Sequence, residues 1–468
     1  MSLIDQRAKA LVHRALRSPM HTVDGRRFIG SVFPLNWLMK QDGQPLHFLL
    51  NAYVPPCNGT THKIAHHPQI EEAMKYLILK KRPEAPDNPF VQLVAAGGGG
   101  AEFQFPFRVE TQELRDREVV DVLRDPNIKE IIPSMPFSLI SPIVGEASSQ
   151  ETAWGIEAVG ATSCKQDGDG VSVAVLDTGI DKTHPAFAGT TFANEDLVDF
   201  IADEAGKPGA ADDHDGHGTH VAGTIFGRDV HGTRIGVARG VKKILIGKVL
   251  GPQGGPTEAI FNAIEWALKR KADVISMSLG IDFTGFVKVL SEECGFPQDI
   301  AVSRALEAYR KNVRLFDRLA SLVQARVQNG RGALLVAASG NESRRDENPQ
   351  FTIASTPPAA SDGFISVGAV SQTGAIAPFS NTGCQFAAPG VGILSAKLGG
   401  GLVALSGTSM ATPHVAGVVA LWTQKLFPAG NRPNGWAQDV ILEVQKNVVH
   451  DPDQSRRDIG LGVVRAPQ

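Results

Sequence analysis

Three short apolar runs are the feature that most constrains the fold. Residues 171–176, 274–277 and 333–338 are mostly small, aliphatic or β-branched, and each is followed by a polar or glycine-containing turn. Such runs are typical of strands that are buried on both faces of a parallel sheet. Between them, apolar residues recur at helical spacing, as in residues 257–268. The alternation predicts an α/β fold with a mainly parallel central sheet.

Residues with useful chemistry lie next to these runs. Asp177 ends the first run and would lie at the carboxyl edge of the sheet, where open α/β sheets bind ligands. His217 lies in the glycine-rich stretch 215–224, and Ser409 lies in the stretch 406–417, among small residues and ahead of a helical pattern. A serine at a helix N-terminus can be a nucleophile or an ordinary N-cap, and the motif alone leaves both readings open.

Two other kinds of site fit these residues less well. The Asp-Thr-Gly motif at Asp177 also occurs in aspartic proteases, but those need two carboxylates that share a proton, and this sequence has one such motif. His214, His217 and His220 could be metal ligands, yet helical zinc sites usually pair histidines at i and i+4 beside a glutamate, a pattern that the sequence lacks. We therefore expect no metal at this site.

Together, the motifs around Asp177, His217 and Ser409 resemble those of the subtilisin-like serine proteases (subtilases), in the same chain order. The resemblance covers residues 149–465 and implies a three-layer fold, in which Ser409 attacks a peptide carbonyl, His217 accepts its proton and Asp177 orients the histidine. It also implies an oxyanion hole formed by the side-chain amide of Asn341 and the backbone N–H of Ser409. The residues expected to line the substrate cleft are Gly254, Gly255, Ser278, Leu279, Gly280, Ala338 and Gly340.

The resemblance implies a serine endopeptidase that works through an acyl-enzyme. An extended peptide substrate would pair as an added strand with two segments, residues 254–256 and residues 278–280. Thr257 is expected to cap the helix that follows the first segment. Two alternatives stay open at this point. One is a transpeptidase or macrocyclase that passes the acyl group to an amine, and the other is a catalytically silent binding protein with the same fold.

The region before the catalytic domain has a pattern of its own. Residues 1–25 are expected to form an amphipathic arm, and residues 26–148 a smaller α+β domain with strands at 103–110 and 127–133 around a helix at 114–124. Further strands are expected at 47–54 and 89–96. Residues 116–133 weakly resemble the second half of a subtilase propeptide, which would make this domain a folding aid and intramolecular inhibitor, removed by a cut between residues 144 and 152. A permanent structural or partner-binding domain is the alternative.

Composition is consistent with a large enzyme and gives no sign of other partners. The 468 residues exceed one ordinary domain, and a net charge of −3 gives no basic patch for nucleic acid or anionic membranes. No apolar run is long enough to span a bilayer, and the N-terminus lacks the apolar core of a signal peptide. The four cysteines are far apart, as expected of reduced thiols. We therefore expect a cytoplasmic protein that acts on peptides or proteins.

Two departures from the family pattern affect cofactors and domain structure. Ala186 and Val230 stand where calcium-binding members often have aspartate and asparagine, so we expect no required cofactor and no calcium at the usual site. Asp212, Asp213 and Asp215 could bind an ion elsewhere, or form a solvated acidic loop. The catalytic domain, expected over residues 149–468, also carries a helical insertion at about 281–331, with a broad apolar face over residues 300–328.

Overall fold

The computed structural model describes residues 21–23, 26–28, 73–82, 104–140, 142–145, 152–203 and 206–468. The chain forms two compact units, Met1–Pro68 and Gln69–Gln468. In the first unit the described residues form an antiparallel hairpin of β1 (His21–Val23) and β2 (Arg26–Phe28). The strands expected at 47–54 and 89–96, and residues 1–20 of the expected arm, lie outside the described residues.

The second unit begins with a small antiparallel sheet under one helix. Its elements are β3 (Met74–Lys81), β4 (Phe107–Leu114), α1 (Asp116–Val122) and β5 (Ile128–Pro133), with β3 in the centre of the sheet. The helix and the last strand lie within a few residues of their expected positions, and β4 begins four residues later than expected. β3 was not expected from the sequence. The small α+β arrangement is therefore present, with a central strand that the sequence pattern did not indicate.

Strands and helices alternate along the rest of the chain. After the short strands β6 (Pro136–Leu139) and β7 (Ile143–Gly145), the elements are α2 (Trp154–Ala158), β8 (Ser172–Asp177), β9 (Leu197–Asp199), β10 (Lys207–Pro208), α3 (His217–Phe226), β11 (Lys243–Lys248), β12 (Gly255–Pro256), α4 (Thr257–Lys269), β13 (Val274–Met277), β14 (Leu279–Ile281), α5 (Phe283–Lys288), α6 (Gln298–Val327), β15 (Leu334–Ala338), β16 (Phe364–Val370), β17 (Phe386–Pro389), β18 (Ile393–Ala396), β19 (Leu402–Ser406), α7 (Thr408–Leu426), α8 (Trp436–Lys446) and α9 (Arg456–Ile459).

The central sheet has eight strands in the order β10-β9-β11-β8-β13-β15-β16-β17. All neighbouring strands are parallel except β10, which pairs antiparallel with β9. The three apolar runs of the sequence form β8, β13 and β15, next to one another in the centre. The expected α/β fold with a mainly parallel sheet is thus confirmed.

Side chains of the sheet point alternately into two apolar cores, one on each face. On β8, Val173 and Val175 pack into the core that contains α3, α7 and α8. Ala174 and Leu176 pack into the core that contains α4 and α6. The helices therefore cover both faces, which gives the expected three layers. Because α4 and α6 also contact the small N-terminal sheet, the second core continues outward to that sheet.

The stretch expected to be a helical insertion is largely helical. α5 is extended by a π-helical turn at Val289–Glu293, and α6 runs for 30 residues, almost the span that its apolar spacing predicts. Its buried apolar residues pack into the second core, while Ile300, Val302 and Leu306 near its start are exposed. In the part of the chain that the structure describes, no helix has the length and hydropathy needed to cross a membrane.

Candidate active site

Asp177 and His217 form a buried hydrogen-bonded pair. Asp177 is the last residue of β8, and His217 is the first residue of α3, which follows Gly216 in a left-handed conformation (φ 103°). The Nδ1 atom of His217 lies 2.7 Å from Oδ1 of Asp177, and both side chains are almost completely buried. Burial alone lowers the pKa of His217, but the charge of Asp177 and the hydrogen bond to it outweigh burial, so that the pKa lies above its ordinary value of 6.5.

A second buried carboxylate holds the start of α3 in place. Asp213 accepts hydrogen bonds from the backbone N–H groups of Asp215, Gly216 and Thr219, and from the hydroxyls of Thr178 and Thr219. Burial raises the pKa of Asp213, but these donors outweigh it and leave the pKa below its ordinary value. Since the donors occupy its oxygens, Asp213 anchors the histidine helix and is not a free ligand for a cation.

Ser409 is the second residue of α7, so its hydroxyl lies at the N-terminus of a long buried helix. Pro413 lies one turn later and has no N–H to donate to the carbonyl of Ser409. The hydroxyl of Ser278 donates to that carbonyl instead, at 3.0 Å. The Nε2 atom of His217 is buried and has no hydrogen-bond partner among the described residues. Within the described residues, no donor therefore occupies the lone pair of this nitrogen.

Asn341 is tied to the same helix end by its side-chain oxygen. Its Oδ1 accepts from the backbone N–H of Thr408 at 2.8 Å and from the Thr408 hydroxyl at 3.0 Å. Its amide nitrogen lies near Gly407, where an added Cβ would come within 2.9 Å of Nδ2. The two contacts fix the amide plane, so that the donor group of Asn341 is held beside the helix that carries Ser409.

The chain's own residues 136–140 lie in a groove that leads to Ser409. β6 is the central strand of a three-stranded antiparallel sheet, with β12 on one side and β14 on the other. The register places Phe137 opposite Gly255 and Ile281, Ser138 opposite Gly280, and Leu139 opposite Leu279. The next residue, Ile140, has its carbonyl oxygen 3.4 Å from the hydroxyl of Ser409. Further along, β7 pairs with β19, the strand that precedes the helix of Ser409.

Most of the residues expected to line the substrate cleft contact this segment. Gly255, Leu279 and Gly280 pair with it, and a Cβ on Gly254 would come within 2.1 Å of the carbonyl oxygen of Phe137. Ser278 contacts the serine instead, with its carbonyl oxygen 3.4 Å from the Ser409 hydroxyl. Two expected cleft residues lie slightly apart from this segment. Ala338 ends β15, and Gly340 lies two residues further on, where its φ of 115° and the nearby Asn381 amide favour glycine. They position Asn341.

Several residues contact residues 133–137 in a way that was not expected from the sequence. Thr257 and Asn312 bind backbone groups of residues 133–135, and Phe316 packs edge-on against Phe137 with ring centroids 5.7 Å apart. Thr257 was expected to be a helix cap, but the N-cap of α4 is Pro256, and the Thr257 hydroxyl lies next to Met135. The partners of these side chains are more than a hundred residues away, so no local signal identifies them.

His220, another of the candidate ligands, has a structural partner. His220 is buried, and its Nε2 lies 2.9 Å from the carbonyl oxygen of Ile393; burial lowers its pKa to about 3, so it stays neutral. Ala186 and Val230 are buried and have no side-chain oxygen to offer calcium at the family's usual position. Within the described ranges, no group of three or more His, Cys, Asp or Glu side chains is arranged to hold a metal ion. Ala186 and Val230 therefore provide no side-chain ligand at the usual calcium position.

Comparison with known proteins decides the family. A model described as the subtilase family matches residues 168–458, a range that includes Asp177, His217, Asn341 and Ser409. The chain belongs to the subtilase family. It is a subtilisin-like serine endopeptidase, a hydrolase that acts on peptides or proteins.

Three bacterial proteins show how far the similarity extends. The chain is 38% identical over 258 residues to the major intracellular serine protease of Bacillus subtilis, an alignment covering 54% of this chain and 68% of the relative. It is 34% identical over 315 residues to a thermostable alkaline protease of Halalkalibacterium halodurans, covering 66% and 70%. It is 35% identical over 295 residues to an intracellular serine protease of Paenibacillus polymyxa, covering 62% and 77%.

Proposed function

We propose that Ser409 is the nucleophile of this subtilase, with His217 as its base, Asp177 as the orienting acid and Asn341 as an oxyanion donor. The single observation that supports this most strongly is the position of the chain's own residues 136–140. They lie as a peptide substrate would, paired with both walls of the groove, with the carbonyl oxygen of Ile140 3.4 Å from the Ser409 hydroxyl. The proposal rests on this arrangement together with the buried Asp177–His217 pair.

The proposed reaction has two halves. His217 accepts the hydroxyl proton of Ser409 at Nε2 while Oγ attacks the substrate carbonyl carbon. The amide of Asn341 and the backbone N–H of Ser409 stabilise the oxyanion, the C–N bond breaks, and the imidazolium gives its proton to the leaving amine. In the second half a water molecule loses a proton to His217 and attacks the acyl-enzyme carbonyl. The Ser409 oxygen then leaves with the proton from His217, and the carboxylic acid is released.

We also propose that the N-terminal region inhibits the enzyme until it is cut or displaced. Besides filling the groove, this region contacts two buried carboxylates of α4. Glu258 pairs with Lys75, and Glu265 pairs with Arg82 and accepts the backbone N–H of Phe105 at 2.9 Å. Each carboxylate would lose these partners on release, so the contacts favour the closed form.

The geometry favours a cut earlier in the chain than the one expected between residues 144 and 152. Within residues 136–140, the carbonyl that lies against the Ser409 hydroxyl belongs to Ile140, whereas residues 143–145 already pair with β19. Residues 146–151 lie outside the described residues. We therefore expect self-cleavage directly after Ile140.

Intact-mass analysis of the purified full chain tests the mechanism and the cut together. The wild type should hydrolyse casein and release a product that ends at Ile140, while Ser409→Ala should remain full length and inactive. Ser321→Ala, on the exposed side of α6, is the matched control and should behave as the wild type. Casein hydrolysis by Ser409→Ala would overturn the proposed nucleophile. Product masses larger than the substrate would indicate acyl transfer to an amine in place of hydrolysis.

We further propose that the enzyme acts inside the cell. Two relatives are named intracellular serine proteases, from Bacillus subtilis and Paenibacillus polymyxa. Among the described residues, Cys164 and Cys384 are free thiols, which is common in a reducing compartment. Fractionation of the producing cells should find the protein with a cytosolic marker, and recovery from the medium of intact cells would contradict this.

A further inference from the structure

The catalytic domain also contacts the chain before β6. At the first residue of β6, the backbone carbonyl of Pro136 accepts the N–H of Asp282 at 3.2 Å. The backbone N–H of Met135 donates to the hydroxyl of Thr257 at 3.3 Å, and its carbonyl oxygen accepts from the same hydroxyl at 3.1 Å. The carbonyl of Pro133 accepts from Nδ2 of Asn312 at 3.0 Å. The catalytic domain thus binds backbone groups of the peptide as far back as the eighth residue before the bond at Ser409.

The two residues that make these upstream contacts are completely buried and linked to each other. Thr257 and Asn312 are 0% exposed, and the Thr257 hydroxyl lies 3.1 Å from Oδ1 of Asn312. The second amide hydrogen of Asn312 goes to the carbonyl of Ala308, one turn earlier on α6. Asparagine is unfavourable inside a helix, and a buried amide needs partners. A peptide carbonyl in the position of Pro133 completes those partners.

Other contacts between α6 and the N-terminal region are of a different kind. Arg304 pairs with the side chain of Asp116, and Arg318 pairs with that of Glu130. These ion pairs depend on the side chains of the N-terminal domain, and another peptide would not reproduce them. The contacts of Thr257 and Asn312 use only backbone atoms, which every extended peptide offers at the same spacing.

We propose that Thr257 and Asn312 form an extended substrate-binding site, which favours long extended segments of unfolded protein over short peptides. The proposal rests on the proposed function of Ser409 and adds to it the class of substrate. After the N-terminal region leaves, a substrate with eight residues before the cleaved bond, or seven residues preceded by an acyl group, places a carbonyl against Asn312. A substrate with six residues, or five residues preceded by an acyl group, reaches Thr257 only.

Peptide length tests the proposal in the full chain after self-processing, with active sites counted by fluorophosphonate labelling. Two acetylated p-nitroanilides copy residues 134–140 and residues 136–140. The acetyl carbonyl of the longer peptide takes the position of the Pro133 carbonyl, and that of the shorter one takes the position of the Met135 carbonyl. In the wild type, kcat/KM should be higher for the longer peptide. Asn312→Ala should reduce this advantage by about two- to tenfold, the effect of one neutral hydrogen bond.

Controls separate this role from docking of the N-terminal domain. Arg304→Ala removes the ion pair with Asp116 and the stacking on Phe296, neither of which involves residues 133–140, and it should leave the length advantage unchanged. If Asn312→Ala unfolds, Asn312→Asp keeps the oxygen near Thr257 without the amide hydrogens and should show the same loss. An equal kcat/KM for the two peptides in labelled wild type, or an unchanged advantage in both Asn312 variants, would overturn the extended site alone. Absence of labelling and hydrolysis would overturn the proposed function, and this site with it.

Discussion

Replacing Phe137 by alanine in the full chain tests whether residues 136–140 keep the cleft closed. Phe137 is 0% exposed, and its ring lies 5.7 Å from that of Phe316 at 75°. In the released segment this ring would face water, so the substitution weakens only the closed form. Truncating a buried phenylalanine costs about 3–5 kcal/mol. Since about 1.4 kcal/mol corresponds to a factor of ten, the open fraction should rise by a factor on the order of 10²–10³.

The rate at which a fluorophosphonate labels Ser409 in uncut molecules reports this open fraction, because Ile140 lies against the hydroxyl in the closed form. Intact mass restricts the measurement to full-length chains, and thermal unfolding shows whether the fold is retained. Val120→Ala, on the outer face of α1 where Val120 is 58% exposed, is the control and should label at the wild-type rate. A Phe137→Ala chain that stays folded and labels no faster than the wild type would refute the closed-cleft account.

Four further outcomes follow from the site. Asp177→Asn should lower kcat by a factor on the order of 10⁴ in steady-state assays, since the histidine tautomer is no longer fixed, and a loss under tenfold would contradict that role. The acid limb of kcat/KM in the wild type should have its midpoint above pH 6.5, because the pKa of His217 is raised and only the neutral ring accepts a proton; a midpoint below pH 6.5 would contradict this. Gly254→Ala should raise KM strongly, because its Cβ would lie 2.1 Å from the carbonyl oxygen of the bound peptide, and an unchanged KM would count against that contact. Chelation by EGTA should leave Tm unchanged, since buried Ala186 cannot bind calcium, and a fall of several degrees would reveal a calcium site.

The positions of the candidate catalytic residues could be predicted because each depends on local sequence. Asp177 follows an apolar strand, and His217 and Ser409 begin helices beside glycines that leave room for them. Parallel strands bring their carboxyl ends to one edge of a sheet, which places Asp177, at the end of β8, and Asn341, after β15, at the same edge. The same reasoning named Asp213 only as a possible ion ligand, because its structural role depends on five donors that converge only in the folded loop.

β3 shows why part of the N-terminal region was missed. Tyr76 and Ile78 pack under α1, while Leu77 and Leu79 pack towards the catalytic helices. A strand that is buried on both faces has a continuous apolar run in place of alternation, and four residues are too few to distinguish it from a helix segment. Its second face is buried by α4 and α6, which are far away in the sequence. No local sequence pattern can therefore predict this burial.

The measurement that tests the central claim most directly is the site of covalent labelling. After treatment of the full chain with a fluorophosphonate, proteolysis and mass spectrometry should locate one phosphonyl group on the fragment that contains Ser409. The Ser409→Ala chain should carry none and should not hydrolyse casein. An adduct on another serine, or undiminished hydrolysis by Ser409→Ala, would contradict the assignment of Ser409 as the nucleophile.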